Sequence, residues 1–138
     1  MVQDLLVIGT GISGLTFAIK VAEQNPNYSI TLISKSDINE GNTRYAQGGI
    51  AVVRNLKKDS TEKHIEDTLQ AGDGACDPEV VKFVVEEANQ RLDELIHWGM
   101  EFDKNKEKLH LGIEGGHSEK RIVHYKDQTG KQIQQALN

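Results

Sequence analysis

A single cysteine among 138 residues excludes an internal disulfide, and nothing in the chain asks for an oxidising compartment. Long apolar runs are missing too. None approaches the ~20 residues that a membrane helix needs. The start, Met1-Val-Gln-Asp4, has no basic stretch and puts a charge ahead of a short apolar run, so no secretory signal is expected there. Basic charge is not in excess. Lys and Arg number 16 against 21 Asp and Glu, for a net charge of −5, which speaks against nonspecific nucleic-acid binding. The class that remains is a soluble, cytoplasmic α/β or α+β domain. The length suits one domain of ordinary size and allows roughly two-thirds of the unfolded surface to be buried. Internal repeats, low-complexity tracts and linkers are absent as well. Glycine is the exception, with 13 copies, and their positions carry the main signal.

Leu5-Leu-Val-Ile8 is a short continuous apolar run that stops at Gly9. Such a run reads as a strand buried on both faces. Leu15, Ala18, Ile19 and Ala22 then return at helical spacing. Pro26 closes that helix, because it disfavours helical geometry in the residue before it. Ser29-Ile-Thr-Leu-Ile-Ser34 is rich in β-branched residues and reads as a second strand. Strand, helix and strand within about 30 residues make a βαβ unit with parallel strands and a right-handed crossover.

From Lys35 to Val53 the periodicity breaks, and Glu40 to Ala51 reads as a loop or a short helix wrapped by loop. Thr61 to Ala71 is expected to be helical, with Ile65 and Leu69 on one face. Asp77-Pro78 opens the clearest helix: Asp77 can cap the free N–H groups and Pro78 suits the first position. Val81, Val84, Val85, Ala88, Leu92, Leu95 and Ile96 form its apolar stripe, and Gly99 ends it. Short strands are expected at Met100 to Asp103 and Leu109 to Leu111, flanking a charged turn from Lys104 to Lys108. Another is expected at Arg121 to Tyr125. A last helix begins at Thr129, with Asp127 or Thr129 as its cap. The sequence stops inside that helix with no closing Gly or Pro, so an N-terminal fragment of a longer protein is expected.

The first motif with chemistry is Gly9-Thr-Gly-Ile-Ser-Gly14. It follows a strand and opens a helix, the context that gives this spacing its meaning. Gly9 permits the tight turn, Gly11 lets the backbone approach a pyrophosphate, and Gly14 allows close packing of helix on strand. The helix N-terminus adds N–H donors and a partial positive charge. The usual acidic residue at the end of the second strand is absent, and Ser34-Lys35 stand there. A hydroxyl can still bond a ribose, and a lysine can meet a 2′-phosphate, so the spacing alone reaches only "dinucleotide". The second motif is Gly41 to Ala51, where amides, hydroxyls and paired glycines suit a flat ring laid against the backbone.

These features combine into a resemblance. Asn42-Thr-Arg-Tyr-Ala-Gln-Gly-Gly-Ile-Ala51, Glu114-Gly-Gly-His-Ser118, Arg121-Ile-Val-His124 and Asp127-Gln-Thr-Gly130 resemble, in order, the L-aspartate oxidase family within the succinate dehydrogenase and fumarate reductase flavoproteins. The likeness runs from Leu5 to Asn138. It implies an α/β fold: a Rossmann-like FAD-binding domain with a parallel sheet, truncated. Residues 1–138 would be its N-terminal part, with the capping and helical C-terminal domains absent. It implies FAD over NADP, since Ser-Lys at the end of the second strand is common in the family.

By the same resemblance, Gly9, Gly11, Ser13 and Gly14 would hold the pyrophosphate, and Ser34 and Lys35 the adenosine side. Asn42, Thr43, Gln47, Gly48 and Gly49 would line the flavin. Membrane-bound relatives carry the flavin on a His at the place of Asn42. An Asn is not nucleophilic, so the FAD here is expected to be noncovalent. Glu114 is the one residue assigned to catalysis, its carboxylate pairing with the ammonium of aspartate, which succinate lacks. The implied reaction is oxidation of L-aspartate to iminoaspartate, with fumarate or oxygen as acceptor. The product would pass to quinolinate synthase in NAD biosynthesis. The fragment alone is expected to be inactive and, with apolar surface and a strand edge uncovered, prone to dimerise or aggregate.

Two alternatives stand beside this reading. One is a fumarate reductase or succinate dehydrogenase flavoprotein, against which Asn42 and Glu114 speak. The other is a nucleotide-binding module without catalysis. His110, His117 and His124 recur every seven residues, but glycines and strands between them argue against a metal site. Cys76 lies just before a helix N-terminus and reads as structural.

Overall fold

Leu5–Ile8 forms strand β1 and Ile30–Ile33 forms β2, and they pair in parallel from Leu5↔Ile30 to Ile8↔Ile33. Between them runs α1, Ile12–Gln24. This is the βαβ start that the sequence implies. The computed structural model describes residues 3–138. Met1 and Val2, where the reading of the amino-terminal start begins, lie outside the described residues. The parallel pairing agrees with the expected α/β class.

β1 departs from the expectation of burial on both faces. Val7 is buried, while Leu6 is 54% and Ile8 80% exposed. The buried face is covered by α1 through Leu15 and Ala18. Among the described residues no element covers the other face.

After β2 the chain makes a single helical turn, α2, Asn42–Tyr45, and enters β3, Ile50–Ala51. Helix α3 is Thr61–Ala71, with the Ser60 hydroxyl accepting from Lys63 N–H at 3.2 Å as its cap. Helix α4, Pro78–His97, begins as its sequence predicts: one Asp77 oxygen accepts from Glu79 N–H and Val80 N–H. It ends at Gly99, where φ is +98° and Met100 N–H donates back to Leu95. The predicted stripe of α4 divides. Val85, Leu92 and Leu95 are buried, but Val84 is 57% and Ile96 40% exposed. The first turns of α4 pack beside α3, and Phe83 and Val84 stay exposed there.

The two strands expected around the charged turn are displaced into it. β4 is Lys104–Asn105 and β5 is Lys108–Leu109, a hairpin closed by Lys106 at φ +59° and Glu107. Met100 and Phe102 are buried in the core instead of a ladder. Their side chains anchor the chain, and the charged residues are left to close the hairpin in solvent. The strand expected over Arg121 to Tyr125 shortens to β6, Ile122–Val123, antiparallel to β3, with Gly112 bridging Ile122. Helix α5 is Thr129–Leu137. Neither Asp127 nor Thr129 caps it. Gln128 occupies the cap position without a side-chain bond, and the Thr129 hydroxyl accepts from Tyr125 N–H at 3.1 Å. That bond closes the turn that leads from β6 into α5.

One core joins these pieces: Leu15 of α1, Val52, Leu92 and Leu95 of α4, Met100, Phe102, Val123 of β6, and Ile133 and Leu137 of α5. No helix among the described residues is long and apolar enough to cross a membrane.

Candidate functional site

The turn after β1 is shaped for close approach. Gly9 sits at φ +106°, where a side chain is strained. A Cβ on Gly14 would lie 2.1 Å from the Gly9 carbonyl, so only glycine lets α1 start this close to the strand. Gly11 is the N-cap of α1 and offers no side chain. The first free amide, Ile12 N–H, donates to the Thr43 hydroxyl at 3.1 Å. Among the described residues the amides of Ser13 and Gly14 have no acceptor. They are the orphan donors of a helix start, which suit an anion.

A cleft of about 500 Å³ opens over this turn, lined by Ile8, Gly9, Thr10, Gly11, Ile33, Ser34, Lys35 and Glu40. The structure therefore brings Ser34 and Lys35, at the end of β2, to the same cleft as the glycines. Glu40 was not anticipated. It lies six residues beyond Ser34 and reaches the cleft because loop 34–41 folds back. Its carboxylate accepts from Tyr45 OH at 2.7 Å, and that bond raises the Tyr45 hydroxyl's pKa above its ordinary value.

The second loop meets the first through α2. Thr43 is committed to Ile12, so it acts on the glycine turn from behind. Asn42 is exposed beside it. Gln47 and Gly48 are exposed, and a Cβ on Gly48 would meet nothing within 4 Å. Gly49 has a different reason to be glycine: a Cβ there would lie 2.4 Å from both the Val123 carbonyl and the Ile122 side chain. Its role is the seam between β3 and β6.

Two buried groups hold this assembly, and the sequence did not single out one of them. Gln134 of α5 is 2% exposed, and its amide donates to Thr10 O at 3.0 Å and Ile38 O at 3.1 Å. It ties the Gly9 turn to the loop that follows β2. As one of several glutamines in α5 it carries no sequence signal of its own. Gly130 packs α5 onto α2, its N–H donating to Ala46 O at 2.9 Å.

Glu114 lies elsewhere, in an exposed loop beside α3. No hydrogen bond among the described residues joins its loop to the Gly9 turn. The loop rests on a buried cluster. Arg121 is fully buried and pairs with Asp59 through two bonds, at 2.9 and 2.7 Å, and with Asp67 at 2.6 Å. Burial works to raise the Asp67 carboxyl, but bonds from Ser118 and Arg121 outweigh it and hold the pKa at about 2. His64 is buried against this cluster, and burial, with Arg121 and His117 nearby, pushes its pKa below the ordinary value. Asp59 and Arg121 are 62 residues apart, a separation at which spacing gives no signal.

The three histidines at seven-residue spacing do not meet at one point. His110 Nδ1 lies 3.1 Å from His124 Nε2, while His117 turns toward His64 and Arg121. Among the described residues no cluster of His, Cys, Asp and Glu could hold a metal ion. Cys76 packs on Gly72, where a Cβ would lie 2.2 Å from its sulfur.

The FAD binding domain family matches residues 4–138. An L-aspartate oxidase from Yersinia pestis is 43% identical over 141 residues, covering 99% of this chain and 26% of that protein. A chloroplastic L-aspartate oxidase from rice (Oryza sativa subsp. japonica) is 44% identical over 135 residues, covering 97% of this chain and 20% of that protein. Quinol fumarate reductase from E. coli has a TM-score of 0.89 at 33% identity over 98% of this chain and 23% of that one. The chain thus spans about a fifth to a quarter of the length of these relatives. The cleft fits the cofactor of this family, FAD: orphan amides suit its pyrophosphate, and Gly11, which lines the cleft, puts no side chain in the way of close approach.

Proposed function

This chain belongs to the FAD binding domain family, and from that premise we propose that it is the first part of the flavin-binding domain of an L-aspartate oxidase. The observation that carries the reading is the 43% to 44% identity to such oxidases along nearly the whole chain, against 33% to the fumarate reductase structure. Gly9, Gly11, Ser13 and Gly14 hold the pyrophosphate of a noncovalent FAD, and Ser34 and Lys35 meet the adenosine side. Asn42, Thr43, Gln47, Gly48 and Gly49 line the flavin. The Thr43 hydroxyl also accepts from Ile12 N–H, and Gly49 packs closely on β6.

L-Aspartate gives up two electrons and two protons to become iminoaspartate. Fumarate takes them to become succinate, or oxygen to become hydrogen peroxide. The flavin, when bound, supplies the two-electron acceptor between them. Glu114 binds the ammonium of aspartate. Its carboxylate accepts a charge-assisted hydrogen bond from that ammonium, worth about 1.5–3 kcal/mol, or roughly 10- to 150-fold in substrate affinity. Succinate has no group to fill that bond, so the same residue discriminates between the two dicarboxylates. This oxidation is the first step of de novo NAD biosynthesis in the cytoplasm, and quinolinate synthase then consumes the iminoaspartate. The capping and C-terminal helical domains and the groups that clamp the substrate carboxylates lie outside residues 1–138.

The test is the visible spectrum of the full-length protein, followed by anaerobic addition of substrate. Flavin bands that bleach with L-aspartate and not with succinate are expected. Bleaching by succinate alone moves the protein to the fumarate reductase branch, which the TM-score of 0.89 keeps as the second reading. A protein without flavin bands is a nucleotide-binding module, and the oxidase reading falls.

A further inference from the structure

The loop that carries Glu114 has little to hold itself. It contains Gly115 and Gly116, the latter at φ +81°, and residues 113–116 are exposed. Its internal bond is His117 N–H to the Glu114 carbonyl at 3.3 Å. Its firm attachments come from below. One Asp67 oxygen, on α3, accepts from Ser118 N–H and from the Ser118 hydroxyl, both at 2.8 Å. The same oxygen accepts from Arg121 Nη1 at 2.6 Å, and Nη1 also faces His117 Nδ1 at 3.2 Å. A guanidinium only donates, so His117 Nδ1 must accept and the ring proton sits on Nε2. The other edge of Arg121 is filled by Asp59. Arg121 is fixed in turn by the sheet, since its carbonyl accepts from Val52 N–H at 2.8 Å.

We propose that Asp67 and Arg121 are positioning residues for the Glu114 loop: the Asp59–Arg121–Asp67 triad, with Asp59 and Arg121 buried and Asp67 half-buried, grips His117 and Ser118, and thereby fixes where the Glu114 carboxylate stands. The consequence for substrate rests on the reading of Glu114 as the partner of the aspartate ammonium. Stability alone is a poor account of the triad. A buried ion cluster is often no more stabilising than a packed apolar one. An apolar cluster, however, has no directional bonds to give a glycine loop. Asp59 suffices to neutralise Arg121, so the second carboxylate, Asp67, carries the excess charge that the two Ser118 donors satisfy.

The experiment uses the full-length, FAD-loaded protein and the variants Asp67→Asn, Glu114→Gln and their combination. Amide exchange in residues 114–118 is expected to quicken about tenfold in Asp67→Asn, as for loss of roughly one net hydrogen bond, while α4 keeps its protection. The KM for L-aspartate is expected to rise about tenfold with kcat within about twofold, for the same lost bond. In the Glu114→Gln background, Asp67→Asn should raise KM no further. Unchanged loop exchange overturns the proposal, as does quickened exchange spread evenly over the domain. So does a KM effect that persists in full without Glu114. If Glu114→Gln alone leaves KM unchanged, the ammonium reading fails, and the loop exchange still decides the grip. Should Asp67→Asn fail to fold, Ser118→Ala at an exposed position removes one of the same bonds and is read by the same exchange pattern.

Discussion

Gly130→Ala tests how far the cofactor cleft depends on the packing of α5 against α2. A Cβ on Gly130 would lie 1.9 Å from the Thr43 carbonyl oxygen and 2.8 Å from both the Ala46 carbonyl oxygen and the Ala46 Cβ. The nearest of these is backbone, so no side chain can swing aside. Ordinary contact begins at 3.4 Å, so the helices must part by about 1.5 Å. Three effects compete. Alanine gains at most about 1 kcal/mol over glycine in a helix, and less in the first turn of α5, where Gly130 stands. Overpacking costs about 1–3 kcal/mol. Losing the bond from Gly130 N–H to Ala46 leaves a buried group unpaired, for about 1–3 kcal/mol more. The clash and the lost bond win, with a net destabilisation of about 3 kcal/mol. The damage should also reach the cofactor, because moving α2 carries the Thr43 hydroxyl away from Ile12 N–H. Urea unfolding of the apoprotein followed by circular dichroism reads the first effect, and quenching of flavin fluorescence on titration reads the second. Gly48→Ala is the control, since its Cβ meets nothing within 4 Å; its stability should stay within about 0.5 kcal/mol of the parent. Gly130→Ala within that same margin, with unchanged FAD affinity, would refute the reasoning.

Three further outcomes follow from the same contacts. Gln134→Leu removes the donors to Thr10 O and Ile38 O at similar volume, and FAD affinity measured by calorimetry should fall about tenfold, as for one to two net hydrogen bonds; an unchanged affinity would show that the Gly9 turn and the loop after β2 hold without it. The Asp67 carboxyl titrates at about 2 when folded against an ordinary 3.8. Its contribution is complete above about pH 4 and is lost as pH falls from there toward 2, so urea midpoints should decline less steeply over that window in Asp67→Asn, and parallel curves would contradict this. The His64 pKa lies below its ordinary value of 6.5, chiefly through burial. A depressed base costs stability as pH falls below 6.5, and an imidazole that titrates by NMR at or above 6.5 would contradict the assignment.

The sequence by itself was enough for the βαβ start, the bounds of α1, α3 and α4, and the cap at Asp77. Each is decided within a few residues, by periodicity, by a proline, or by a side chain reaching its own helix. It was enough, too, for the glycine turn and for Ser34 and Lys35 at the cleft, because β1, α1 and β2 are consecutive and the connection fixes them together. The tertiary structure alone decided the rest. Burial of β1 on one face only, and the exposed first turns of α4, depend on what packs nearby and not on local pattern. The hairpin at Lys104–Leu109 took its register from Met100 and Phe102, which the core claimed. Gln134, Gly130 and the Asp59–Arg121–Asp67 triad act across tens of residues. A hydrogen bond or a contact at that distance leaves no periodicity in a chain, since only folding brings its two ends to the same place.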